Sequence, residues 1–148
     1  MTDEPISLFP EMNLIDMEET EIYEGAASNE KWTYMLDFRN RCAVVDEDGR
    51  ARKTKTYAEF LIQTAMKILN TERFQYVVYS EDIGVEKSEW PGWEDVEIKR
   101  DMEEALTAHP EIQRAEVLSI ERDAHEVYVR IHLVGLAGTA EVEEAIRL

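Results

Sequence analysis

The chain has a single cysteine, Cys42, among its 148 residues, which excludes an intrachain disulfide and a cysteine-built zinc cluster. It is short of positive charge: 16 Lys and Arg stand against 33 Asp and Glu, a formal net charge of -17. Nucleic-acid binding draws affinity from Lys and Arg that release counterions from phosphates, so this balance argues against a nucleic-acid partner. No apolar run approaches the roughly 18 residues of a membrane span, which argues against a membrane partner. The first residues lack both the basic and the apolar segment of a secretory signal. The chain therefore reads as one made in a reducing cytosol, with Cys42 expected as a buried thiol.

Chemistry-bearing patterns are scarce too. His109, His125 and His132 are not spaced as a helix-borne metal pair, and no phosphate loop, nucleophile elbow or cysteine-histidine dyad is visible. No catalytic residue, cofactor or metal ligand is assigned. Asp46-Glu47-Asp48-Gly49 lacks the later oxygen ligands and closing glutamate of a calcium loop and reads as an acidic turn with glycine in a left-handed position. Glu72 is the most specific candidate for carboxylate chemistry, but neighbouring Arg73 favours its ionised form and opposes a general-acid role.

What is present suggests one α+β domain with a mostly antiparallel sheet and two main helices over residues 32–148, preceded by an acidic N-terminal arm over 1–31. In the arm, nine carboxylates from Asp3 to Glu30 precede the first basic residue, Lys31. Like charges resist collapse, whereas Ile6, Leu8, Phe9, Met12, Leu14, Ile15 and Met17 supply apolar anchors, so the arm is expected to order on a partner.

Thr56 with Glu59 forms a capping box. Behind it, Tyr57, Phe60, Leu61, Thr64, Ala65, Ile68 and Leu69 form one helical stripe that ends at Asn70, a residue tolerant of the left-handed C-terminal position. Phe74 to Ser80 reads as an interior strand, apolar on both sides, with a turn at Gly84. Trp32, Tyr34, Leu36 and Phe38 alternate as the inner face of a strand, and Cys42 to Val45 as a second. Trp90-Pro91-Gly92-Trp93 predicts a type II turn. Its tryptophans either fold back over the core or protrude as interface anchors.

A second helix is predicted over Asp95–Thr107, with Asp95 as cap and Ile98, Met102, Ala105 and Leu106 buried, ending at His109-Pro110. Val117 to Arg122 and Val127 to Val134 read as a hairpin. Residues 140–148 fit either a strand or a helix, with strand the preferred reading.

The run from Tyr57 to Glu86, with Gln63 in the helix, Thr71-Glu72-Arg73 after it and Tyr79-Ser80 at the strand end, resembles the XkdS-like baseplate proteins of contractile phage tails. The chain also matches that family's Leu-Phe-Pro start at Leu8-Phe9-Pro10, and carries Ile83-Gly84 where the family usually has Tyr-Gly. A fainter similarity links it to the lysozyme-like-named wedge proteins of T-even-like phages. The resemblance implies a structural baseplate wedge component of a phage or a phage-derived particle such as a tail-like bacteriocin. It would be made in the bacterial cytoplasm and placed at the virion or tail-particle baseplate.

Its implied partners are other wedge subunits and the tail sheath protein, in a six-fold symmetric assembly, with the tail hub or tube as a further contact. In such proteins a sheath-like strand exchange begins the sheath. Leu8, Phe9, Trp90, Trp93, Val127, Val129, Ile131 and Leu133 are then the candidate partner-binding residues, and Thr71, Glu72, Arg73 and Gly84 the structural junction. Two other readings compete. A peptidoglycan hydrolase needs two opposed carboxylates in a cleft, and an acidic mimic of nucleic acid would bind basic proteins. Neither accounts for the Tyr57 to Glu86 pattern.

Overall fold

A computed structural model describes residues 31–75, 78 and 81–148. The acidic arm before Lys31, with Leu8 and Phe9, lies outside the described residues. So do Tyr76, Val77, Tyr79 and Ser80 of the strand expected between the helices.

Two helices lie against one face of a three-stranded antiparallel sheet, which is the predicted α+β architecture. Helix α1, Tyr57–Leu69, starts where the Thr56 hydroxyl accepts the Glu59 N–H, while the Glu59 carboxylate accepts the Lys55 N–H. It buries Leu61, Ala65, Met66 and Leu69. Its end differs from expectation: Asn70 is not left-handed (φ -94) and closes the helix by donating from Nδ2 to the Met66 carbonyl, 2.8 Å. Helix α2, Asp95–Thr107, buries the predicted Ile98, Met102, Ala105 and Leu106, and also Asp101. Its cap is one residue earlier than predicted, because Glu94 and Glu97 form a reciprocal capping box.

The sheet runs β3 (Ile112–Arg122), β4 (Glu126–Gly135), β5 (Thr139–Arg147), with β4 in the centre. Residues 139–147 are thus strand. Alternate residues Val127, Val129, Ile131 and Leu133 of β4, with Ile112, Ala115 and Val117 of β3 and Ala140, Val142 and Ile146 of β5, meet the helices in one core. Helix α2 lies over β3 and α1 over β5.

The N-terminal segment departs from prediction. Leu36–Asp37 (β1) and Cys42–Ala43 (β2) pair as a short ribbon, extended by isolated bridges from Tyr34 to Lys53 and from Val45 to Ala51. Trp32 and Tyr34 are 48% and 46% exposed, packed edge to face with the Lys53 ammonium 3.9 Å from the Trp32 ring centroid. Period-two alternation of Trp32, Tyr34, Leu36 and Phe38 implied an inner face, but among the described residues only Phe38 of that set packs against the core; α1 ties the ribbon down from one side. Gln63 accepts the Leu36 N–H and Lys67 donates to Thr33 and to the Tyr34 carbonyl. Cys42, on the ribbon, is exposed rather than buried. The acidic turn is as expected, with Gly49 at φ +76 and its N–H on the Asp46 carbonyl.

Lys87–Gly92 forms a 3-10 helix instead of a type II turn. Gly92 does not take the positive φ that such a turn requires. Phe74 (φ +65, 65% exposed) and Val78 (92% exposed) do not carry the buried strand face predicted for them.

Candidate assembly interface

After α1 the chain leaves through Thr71, whose hydroxyl donates to the Lys67 carbonyl, 2.7 Å. The Arg73 N–H donates to the Val85 carbonyl and the Val85 N–H to the Thr71 carbonyl, so the two ends of the intervening loop are laced together. Gly84, at φ +91, makes this approach possible. A Cβ there would sit 2.5 Å from the Thr71 carbonyl oxygen.

The Arg73 side chain then reaches across to α2. Its Nε donates to the Gly84 carbonyl and its Nη2 lies 3.2 Å from Asp101 Oδ1. Asp101 also accepts the Glu86 N–H and the Trp90 Nε1–H, at 2.9 and 2.8 Å. Two predicted residues, Arg73 and Trp90, therefore meet at a carboxylate the sequence reading did not single out, with Thr71 and Gly84 laced to the Arg73 side of the loop. A lone acid on the apolar stripe of α2 was the available signal.

Burial decides which predicted contacts face a partner. Trp90 is fully enclosed, so of the two alternatives its indole is a core element and does not protrude. Trp93 is half-buried against the same core. Glu72 accepts the Ser88 N–H and hydroxyl at 3.2 and 2.7 Å, a loop-fixing role.

Val127, Val129, Ile131 and Leu133 are buried, and both edges of β4 are paired. The hairpin Val117 to Val134 thus has its second strand in the centre of the sheet, and the outer edges belong to β3 and β5.

These two edges differ. Strand β3 has register shifts at Ile112/Arg114 and Val117/Ser119, irregularities that bend an edge. The outward Val117 N–H is taken up by Glu103 of α2 at 3.0 Å. Strand β5 pairs with β4 in one unbroken register from Thr139 to Arg147. The bonds Gly135 N–H to Gly138 carbonyl and Leu148 N–H to His125 carbonyl fix the antiparallel phase. Even-numbered residues of β5 therefore bond to β4, and Thr139, Glu141, Glu143, Ala145 and Arg147 direct N–H and C=O outward. Among the described residues nothing hydrogen-bonds to them.

Along this edge runs a cleft of 370 Å³ floored by Ile62 and Met66 of α1, with Leu36 to Arg39 of the ribbon opposite Glu143 to Ala145. It shares Leu36 to Phe38, Asn70 and Arg147 with a larger cleft of 990 Å³.

At the other end of the sheet, Tyr57 donates to Glu111 at 2.7 Å and accepts the Ala137 N–H, while Lys31 pairs with the other Glu111 oxygen. The bonds from Lys31 and Tyr57 hold the Glu111 carboxyl below its usual pKa. Burial pushes the Tyr57 phenol up and the His109 imidazole down.

Among the described residues no group of three or more His, Cys, Asp or Glu side chains is placed to hold a metal ion, and no helix is long and apolar enough to cross a membrane. The family model described as contractile injection system sheath initiator matches residues 32–136. The chain is 29% identical over 150 residues to the phage-like element PBSX protein XkdS of Bacillus subtilis (strain 168), covering 95% of this chain and 97% of that protein.

Proposed function

The chain belongs to the contractile injection system sheath initiator family, whose work in contractile tails is structural, and from that premise we propose that it acts as a baseplate wedge component joining neighbouring wedge subunits to the first sheath ring. The observation that carries this reading is the outer edge of β5. Five residues present unpaired backbone groups in unbroken register beside an apolar-floored cleft. Such an edge accepts an extended segment of another chain, with backbone bonds supplying affinity and pockets supplying specificity. The edge lies just beyond the segment matched by the family model. The irregular edge of β3, with its Val117 N–H already taken up by Glu103, makes β5 the preferred site.

In this reading Val127, Val129, Ile131 and Leu133 support the partner strand from beneath, by holding the sheet on the helices. Trp93 remains a candidate contact at the surface. Leu8 and Phe9 of the acidic arm are proposed to dock on a wedge neighbour. No step of this function uses catalysis or a cofactor.

Glu143→Pro tests the proposal. Proline removes an outward N–H at an edge position without deleting a bond to β4. The variant is expected to fold as the parent does and to fail to seed sheath. Sheath assembly at the parental level on a folded Glu143→Pro protein would refute strand addition at β5.

A further inference from the structure

A chain of net charge -17 gathers four cations on one cleft. Arg41, Lys67, Lys87 and Arg147 all line the 990 Å³ cavity that continues from the β5 edge. None has a carboxylate oxygen within 4.0 Å among the described residues. The two side-chain carboxylates on the same walls are already engaged. Asp37 accepts both the Arg39 and Asn40 N–H groups and the Asn40 Nδ2, and Glu72 accepts Ser88. Among the described residues Lys67 donates to neutral oxygens, Thr33 Oγ1 and the Tyr34 carbonyl.

Arg41 supplies an independent observation. It sits at φ +54, a left-handed conformation that strains a residue bearing a Cβ and that glycine adopts freely. Selection for stability alone favours glycine or asparagine at that turn. An arginine held there against local preference points to use of its side chain. Burial lowers the Lys87 pKa, with Glu72 opposing the shift and Arg41 adding to it.

We propose that the partner segment added to β5 carries a run of carboxylates where it passes Arg147, and that Arg41, Lys67, Lys87 and Arg147 bind this run. The inference rests on strand addition at β5 and names the chemistry of the incoming chain. The shared walls at Leu36 to Phe38, Asn70 and Arg147 make one path from the apolar-floored cleft into the basic one. Overall acidity does not prevent this, because at physiological salt charges beyond about 8 Å are largely screened and the four local cations dominate.

The test uses the full chain and labelled peptides of alternating Thr and Val. One carries a glutamate run at its C-terminus, for a strand parallel to β5, and one at its N-terminus, for an antiparallel strand. Each has a twin with serines in place of the glutamates. An exposed charge pair contributes a factor of about two to five, so several together give the glutamate peptide an advantage of at least about tenfold in one of the two directions. That advantage should vanish at high salt and fall about two- to fivefold in Arg41→Gly. The substitution relieves backbone strain and should leave the thermal midpoint at or above the parent's, so the reduced advantage cannot be assigned to misfolding.

Equal affinity for glutamate and serine peptides would overturn the acidic-segment inference while leaving strand addition standing. Binding of none of the peptides would overturn both. Carbodiimide cross-links from Lys67 or Lys87 to carboxylates of residues 1–30 in the peptide-free protein would also overturn it, by giving the cleft to the chain's own arm.

Discussion

Replacing Arg73 with alanine is the sharpest probe of how the loop before α2 is held. The substitution keeps the backbone lacing, in which Arg73 N–H bonds to Val85 and Val85 N–H to Thr71. It removes the Nε bond to the Gly84 carbonyl and the Nη2 contact with Asp101, whose carboxylate is 4% exposed. Removing one partner of a buried ion pair costs about 3–5 kcal/mol, because the other charge stays desolvated. Asp101 Oδ2 retains the Glu86 N–H and Trp90 Nε1–H, so the loss here should fall to about 2–4 kcal/mol. With an unfolding entropy of about 2 cal/mol/K per residue over the folded domain, each kcal/mol moves the midpoint by about 4 °C, giving a drop of about 8–16 °C.

Thermal and urea unfolding of Arg73→Ala, Asp101→Asn and the double variant check this. The cycle should return a coupling of at least about 1 kcal/mol. A midpoint for Arg73→Ala within about 2 °C of the parent would refute the role assigned to the pair. If that variant then also failed to join particles, Arg73 would be an interface residue.

Other outcomes follow from the same geometry. Gly84→Ala should be more damaging than an ordinary loop substitution, because its Cβ meets the Thr71 carbonyl at 2.5 Å with φ at +91; a loss of about 2 kcal/mol or more in urea unfolding is expected, and a neutral variant would contradict the lacing. Stability should fall with acidification in two stages. The lowered pKa of His109 means that protons favour the unfolded chain, so its contribution is complete above about pH 6.5 and is lost as the pH falls through the lower folded value. The lowered pKa of Glu111 likewise gives stability present above about pH 4.3 and lost below it. His109→Gln should flatten the first stage and Glu111→Gln the second in unfolding series across pH; unchanged profiles would remove both assignments.

The helices and the C-terminal strands were legible because their signals are local. Stripes at spacings of three and four placed Leu61, Ala65, Leu69, Ile98, Met102 and Leu106 in the core, and alternation marked Val127 to Val134 as strand, although its residues Val127, Val129, Ile131 and Leu133, expected to bind a partner, lie in the core. The ribbon at Trp32 to Phe38 was misread because alternation reports two faces without saying that a layer covers either. Residue Trp90 was ambiguous for a related reason. Its partner Asp101 lies 11 residues away on another element, and only packing joins them.

Which edge of the sheet stays open also depends on non-local facts: the order β3-β4-β5 and the reach of Glu103 to the Val117 N–H. The cleft cations come from a turn, α1, the 3-10 helix and β5, so no window of sequence contains them. By contrast, the Thr71-Glu72-Arg73 and Gly84 junction was visible because it coincides with the family pattern, although its target, Asp101, was not.

The central claim is that β5 receives a strand, and a reconstruction of the assembled baseplate with its first sheath ring tests it most directly. At a resolution that traces the backbone, an extended segment of a sheath or wedge subunit should be hydrogen-bonded to the outward groups of Thr139, Glu141, Glu143, Ala145 and Arg147. A baseplate in which no foreign strand pairs with residues 139–147 while the sheath ring is in place would contradict it.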